Sequence, residues 1–239
     1  MFGRFLEIGL ATRDITASFT FYDRLGFGQL MTSDAWPHRY GVLSDERLYV
    51  GLHEREMTSP SVTFVLPDLV HALPRLRSQR LEPDLALLGE DRLNQVVLRD
   101  PAGHAVTLLE ARTYSPAPQG SAKQSLCGYF SHLSLPQTDF DSARIFWELA
   151  GFVALAEEDL PFPHLPLTSD HLDLAFHQRR TFDAPLLVFE CVDIAAAMQR
   201  MRELELPTST HLPRGLDRKR SCLIESPEGT ALLIVPVSD

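Results

Sequence analysis

Glu7 is the first side chain in this 239-residue sequence whose chemistry needs an explanation. It stands in the run Phe5-Leu6-Glu7-Ile8-Gly9-Leu10-Ala11, and a carboxylate inside an otherwise apolar strand must pair, take up a proton or stay wet. Histidines supply partners of near-neutral basicity. His53 and His177 close the matching runs LYVGLHE and LDLAFHQ, where each either ends a strand against a turn or faces a cavity. His38 and His164 each follow an aromatic-proline pair, Trp36-Pro37 and Phe162-Pro163. They belong either to rigid turns packed by Trp36 and Phe162 or to the mouth of a cavity. Cys127, Cys191 and Cys222 are odd in number and contain no C-x-x-C pair, which argues against a disulfide framework and a thiolate metal site. Cys191 and Cys222 read as small buried hydrophobes. Neither a G-x-S-x-G elbow, a P-loop, an HExxH nor a G-x-G-x-x-G occurs.

Composition narrows the partners. A formal net charge of -10 opposes approach to a phosphate backbone, so nucleic acid is not expected. The one basic cluster, Arg214, Arg218, Lys219 and Arg220, lies in a Pro/Gly-containing stretch and reads as a solvated loop. No apolar run approaches the roughly 18 residues of a membrane span, and MFGRFLEIGL alternates like a strand rather than a signal peptide. A reducing cytoplasm is the expected location.

The elements that must position these side chains occur in duplicate. DITASFTFYDRLGF at 14–27 matches DFDSARIFWELAGF at 139–152, an offset of 125 residues that recurs, within one residue, along the chain. LPDLVHAL matches CVDIAAAM, and DPAGHAVTLL matches SPEGTALLIV. The Pro, Gly, Ser and Ala content of 113–126 reads as a linker between a first domain at 1–112 and a second at 127–239. Within each half a strand, a helix and several short strands occur twice. Asp14 and Asp68 are placed as N-caps; Ile15, Phe19, Tyr22 and Leu25 recur at helical spacing until Gly26. Pro74 interrupts the second helical pattern. Phe21, Tyr22, Phe146 and Trp147 read as core.

This repeated unit, with FYDRLGF and RDPAGHAVTLLE, resembles the vicinal oxygen chelate superfamily, which includes glyoxalase I, bleomycin-resistance proteins and extradiol dioxygenases. The resemblance implies an α+β fold of two tandem domains, each of two βαβββ modules whose U-shaped sheet surrounds a cavity. It also implies a divalent metal, Fe, Mn, Ni or Zn, held by His and Glu on inward strand positions. Those positions fall on Glu7, Ser61 and Thr107 in the first half and on His132, Leu186 and Leu233 in the second. His53 and His177 should lie close to the first strands, so the pairs Glu7/His53 and His132/His177 would be the anchors of any ion. Each pair is short of three protein ligands. The expected function is therefore small-molecule binding of the bleomycin-resistance type without a cofactor, with a metal-dependent glyoxalase-type lyase or extradiol-type dioxygenase as the alternative. Glu7, His53, His132, His177, His38, His164, Trp36 and Phe162 are the candidate ligand contacts. A small molecule is the expected partner, no membrane is, and a homodimer is compatible with the sequence.

Overall fold

The computed structural model describes residues 2–32, 36–111, 125–209, 212–213, 215–217 and 219–237. Nearly all of the expected linker, with Arg214 and Arg218 of the basic cluster, lies outside the described residues; Lys219 and Arg220 are exposed.

The first half runs β1 (Arg4–Ala11), α1 (Ile15–Arg24), β2 (Gly28–Leu30), β3 (Tyr40–Ser44), β4 (Tyr49–His53), β5 (Ser61–Leu66), α2 (Leu69–Ser78), β6 (Leu85–Leu87), β7 (Gln95–Arg99) and β8 (Ala105–Glu110). The second runs β9 (Tyr129–Gln137), α3 (Phe140–Ala150), β10 (Val153–Ala154), β11 (His164–Thr168), β12 (Leu174–Gln178), β13 (Leu186–Cys191), α4 (Ile194–Glu203), β14 (Cys222–Glu225) and β15 (Ala231–Pro236). Aspartate caps each helix: Asp14, Asp68, Asp139 and Asp193 accept a backbone N–H of the first turn. The second helix continues through Pro74. Its ring faces solvent, and Val70, whose carbonyl loses a helical donor, is itself exposed to water.

Two separate mixed sheets result, α+β in class, with orders β2-β3-β4-β1-β5-β8-β7-β6 and β10-β11-β12-β9-β13-β15-β14. In each, the first strand lies at the centre, parallel to one neighbour and antiparallel to the other. Beyond β7 the first sheet adds β6, an exposed edge strand that the sequence periodicity did not announce; at the equivalent edge of the second sheet the described residues show a single bridge, Thr208 to Ile224 of β14.

Alternation decides which face each side chain takes. Ile8 and Leu10 of β1, Val50 and Leu52 of β4, Val62 and Phe64 of β5, and Val106 and Leu108 of β8 enter the main core. Strict alternation would place Phe5 on the same face as Glu7. A register shift between Phe5 and Glu7 breaks the period, so Phe5 joins the core while Glu7 faces away from it. The same shift recurs on β9, between Phe130 and His132. Glu7 has room because Gly51 lies beside it on β4, where a Cβ would fall on the Glu7 carboxylate.

The halves are joined by a reciprocal exchange. Ser18 and Tyr22 of α1 both donate to Glu228, in the turn before β15, at 2.8 Å. Trp147 of α3 donates through Nε1 at 3.3 Å to Asp100, in the corresponding turn before β8, and Gln137 donates to the same carboxylate at 2.6 Å. Asp100 also accepts the backbone N–H groups of Ala102 and His104. Around these contacts Phe2 meets Phe146 edge-on and Phe27 meets Phe189, so one apolar core is continuous across both sheets.

Two measurements test this architecture. Glu228→Ala leaves the buried Tyr22 hydroxyl short of its acceptor and Ser18 with Thr12 alone, and is expected to cost about 2 kcal/mol, with Asp100→Ala costing about 3 kcal/mol or more because four donors lose their partner. Urea denaturation of both variants reads this; a loss below half a kilocalorie in both would show that the halves are held by apolar contact alone. Gly51→Ala is expected to destabilise by about 1–3 kcal/mol through overpacking. A double-mutant cycle with Glu7→Ala should show coupling, since removing the carboxylate frees the space; strict additivity would contradict the close approach.

Candidate ligand site in the first half

The outward turn of Glu7 starts a chain of hydrogen bonds that ends at the protein surface. Glu7 is buried, and its Oε1 lies 2.9 Å from His53 Nε2, while Tyr40 donates its hydroxyl to Oε2 at 2.5 Å. Sheet register brings these three together: β1 and β4 are parallel neighbours, and Tyr40 stands directly opposite His53 across the β3–β4 pair. His53 Nδ1 is 3.0 Å from His38 Nε2, and His38 is only half-buried. A carboxylate accepts, so His53 presents Nε2–H to Glu7. The Tyr40–Glu7–His53–His38 series is then a continuous path along which a proton at His38 is felt by a buried carboxylate.

Trp36 covers this series. Its ring meets His53 edge-on at 4.9 Å and lies within 6 Å of both His38 and Tyr40. Arg55, two residues beyond His53, places its guanidinium over the Trp36 ring at 5.2 Å, a cation–π contact. Burial, then the positive charge of Arg55 and then His53, lower the His38 pKa to about 4. His38 is therefore a neutral imidazole at neutral pH. Beside it opens a cleft of about 850 Å³ between α1 and the β2–β3 edge, lined among others by Phe19, Gln29, Trp36, His38, Tyr40 and Leu43. Volumes of this order accept drug-sized molecules.

The remaining positions at which the superfamily resemblance places metal ligands are otherwise engaged. Ser61 and Thr107, both buried, hydrogen-bond each other at 2.8 Å. With Glu7 held by His53 and Tyr40, the described residues of the first half do not present a three-ligand set. In the second half Leu186 and Leu233 are fully buried in an apolar cluster with Phe162, Val188, Leu223 and Val235. Among the described residues no group of three or more His, Cys, Asp or Glu is placed to hold an ion. The residues present do not fit the metal centre that the resemblance implies.

The second half differs from the first in other ways. Part of its corresponding face is taken by that apolar cluster, and Phe162, read from the sequence either as packing for a rigid turn or as a ligand contact, is buried in it 5.7 Å from the His177 ring. His177 has both ring nitrogens engaged: Ser134 Oγ lies 2.7 Å from Nδ1, and Nε2 donates to the Phe182 carbonyl at 3.0 Å. It therefore offers no free nitrogen to a ligand, and the expected meeting with His132 does not give a bidentate pair. His132 stacks instead on His164 at 5.4 Å, and its Nε2 is buried without a partner. Burial, then His164 and His177, lower the His132 pKa to about 3. Burial, with lesser contributions from His104 and His164, takes His177 to about 4 against the opposing pull of the Phe182 carbonyl. A pocket of about 330 Å³ adjoins His132 and His164. All three cysteines are buried and free, and burial pushes the thiols up.

Tyr40 and Arg55 are the site residues that sequence reasoning passed over. Tyr40 could have been found from strand register, since pairing β3 with β4 sets it opposite His53. Arg55 carries no such signal, because an arginine in a loop is ordinarily solvated.

By sequence, no protein-family model and no curated protein matches this chain. By structure, many solved proteins do. The 2,3-dioxygenase LapB from Pseudomonas sp. KL28 superposes over 99% of this chain and 92% of its own, with a TM-score of 0.63 and 17% identity. A catechol 2,3-dioxygenase matches over 98% and 89%, with a TM-score of 0.56 and 14% identity. Homoprotocatechuate 2,3-dioxygenase from Brevibacterium fuscum, in its E323L form, matches over 99% and 72%, with a TM-score of 0.61 and 13% identity. The chain therefore has the fold of the extradiol dioxygenases, the tandem α+β fold of the vicinal oxygen chelate superfamily.

Proposed function

We propose that this chain binds a small aromatic or apolar molecule without a metal ion, as bleomycin-resistance proteins do, and that the first half holds the site. One observation carries this reading: Ser61 and Thr107, at two of the superfamily's ligand positions, satisfy each other at 2.8 Å. Two neutral hydroxyls so paired are poor ligands for a transition metal, which is held by imidazole, carboxylate or thiolate. What the first half offers is a wall of Phe19 and Trp36 for an apolar body and the His38 end of the Tyr40–Glu7–His53 series for one polar group. Apolar enclosure with a few placed polar groups is the usual composition of a ligand pocket. A second reading, a metal-dependent extradiol-type dioxygenase, is favoured by the matching structures themselves and by the unpartnered Nε2 of His132.

Metal analysis of the purified protein, alongside calorimetric titration with small aromatic compounds, separates the two. The expected result is no stoichiometric transition metal, with binding that survives chelation and weakens about tenfold in Trp36→Ala. About one Fe, Mn, Ni or Zn per chain, lost in His132→Ala, would decide for the dioxygenase reading.

The neutral imidazoles also set a lower pH limit on the fold. His132 and His177 have folded pKa values of about 3 and about 4, below the 6.5 of a free imidazole. Between these values the unfolded chain binds more protons, so stability is complete above about pH 6.5 and falls as the pH drops toward 4. The contribution of the pair approaches about 2.7 kcal/mol per pH unit at its steepest. Urea midpoints measured from pH 7.5 to 4.5 are expected to decline, with a smaller slope in His132→Gln. A flat profile would contradict the burial of neutral histidine.

A further inference from the structure

We propose that Arg55 is the anchor for an organic carboxylate, so that the ligand of the first half is an anion with a flat apolar body. The inference rests on the reading of that half as a small-molecule site and gives its ligand a chemical class. Arg55 is half-buried, yet it makes no hydrogen bond or ion pair with any described carboxylate, and its Nε is sealed from water with no acceptor. Two acids of the same region, Glu54 and Glu7, are engaged elsewhere. Glu54 is held by Arg39 at 3.1 Å and accepts the N–H of Ile15, which opens α1. Glu7 is enclosed by His53 and Tyr40.

A partly desolvated guanidinium left without an anion is costly, because its Nε–H has given up water and gained no acceptor in return. In a chain of net charge -10, with 32 acidic residues against 22 basic ones, such a cation could readily have been paired with a protein carboxylate. Its position makes the vacancy specific. The guanidinium lies over the Trp36 ring at 5.2 Å and near enough to His38 for its charge to act on that ring, and it is Trp36 and His38, not Arg55 itself, that line the cleft. The contact holds the guanidinium against the ring, and the planar fork of an arginine can donate to both oxygens of a carboxylate at once. Trp36 then serves the apolar body of the same ligand. Lysine, a point charge without a planar fork, would reproduce only part of this.

Isothermal titration calorimetry with benzoate, benzyl alcohol and benzylamine tests the class directly on the intact chain. Benzoate is expected to bind at least tenfold more tightly than the alcohol or the amine. Arg55→Gln should weaken benzoate by about tenfold to hundredfold and Arg55→Lys by less, while benzyl alcohol stays within about twofold. Thermal unfolding of each variant verifies the fold, with Arg55→Met as a second neutral replacement. If benzyl alcohol or benzylamine binds as well as benzoate, or if Arg55→Gln leaves benzoate unaffected, the anion assignment fails while small-molecule binding stands. If none of the three compounds binds, both fail. A change in sedimentation with Arg55→Gln at unaltered benzoate affinity would assign the guanidinium to a contact between copies of the chain and overturn the proposal.

Discussion

The structure depends on the mutual capture of each half's first helix by the other half's closing turn. Tyr22 and Trp147 occupy equivalent places in the duplicated sequence, and both are fully buried with one polar atom that needs a partner. Each finds it in a carboxylate of the opposite half. Neither turn could fulfil this role within its own repeat, because it lies on the far side of its own sheet order from the helix that needs it. Burial of large aromatic rings supplies the greater part of the adhesion, at roughly 1.5–3 kcal/mol for a fully buried large side chain, and the hydrogen bonds fix the register. The core is single although the sheets are two.

Fixing both halves by their helical faces leaves the opposite face of each sheet free to diverge. The first half has used that freedom for polar chemistry: an acid turned outward by a register shift, a histidine behind it and a tyrosine across the strand pair. In the second half the same face is occupied by leucine, valine and phenylalanine, and its histidines are either internally satisfied, as His177 is, or stacked, as His132 and His164 are. A common scaffold has thus produced one polar and one largely apolar interior surface.

Much of this was legible in the residues. The duplication, the aspartate caps, the strand runs and the importance of Glu7 all follow from composition and spacing, because they are local or repeat at a fixed interval. The approach of His53 to Glu7 was readable once the fold resemblance was granted. What could not be read depends on long-range geometry. Phe5 and Glu7 should share a face by period, and only the pairing of β1 with β5 reveals that they do not. Phe162 could be read as turn packing or as a ligand contact, and the choice depends on leucines that come from strands distant in sequence. Arg55 was invisible because its significance is that no described carboxylate pairs with it, which no single-sequence pattern expresses.

The empty space at Gly51 has a bearing on how such a half can change. The equivalent residue in LDLAFHQ is Ala175, and the residue equivalent to Glu7 is His132, so the two repeats carry different combinations at the same two places. A methyl group at 51 would fall on the Glu7 carboxylate where it now lies, so the acid would have to move to admit it. The two positions are coupled: alanine at 51 is better tolerated when residue 7 lacks the acid, so the stability of the intermediate depends on which position changes first. Exchange of single strands between the repeats would split the combination and leave either a collision or a hole. The polar interior of the first half is in that sense locked by the smallest residue in it.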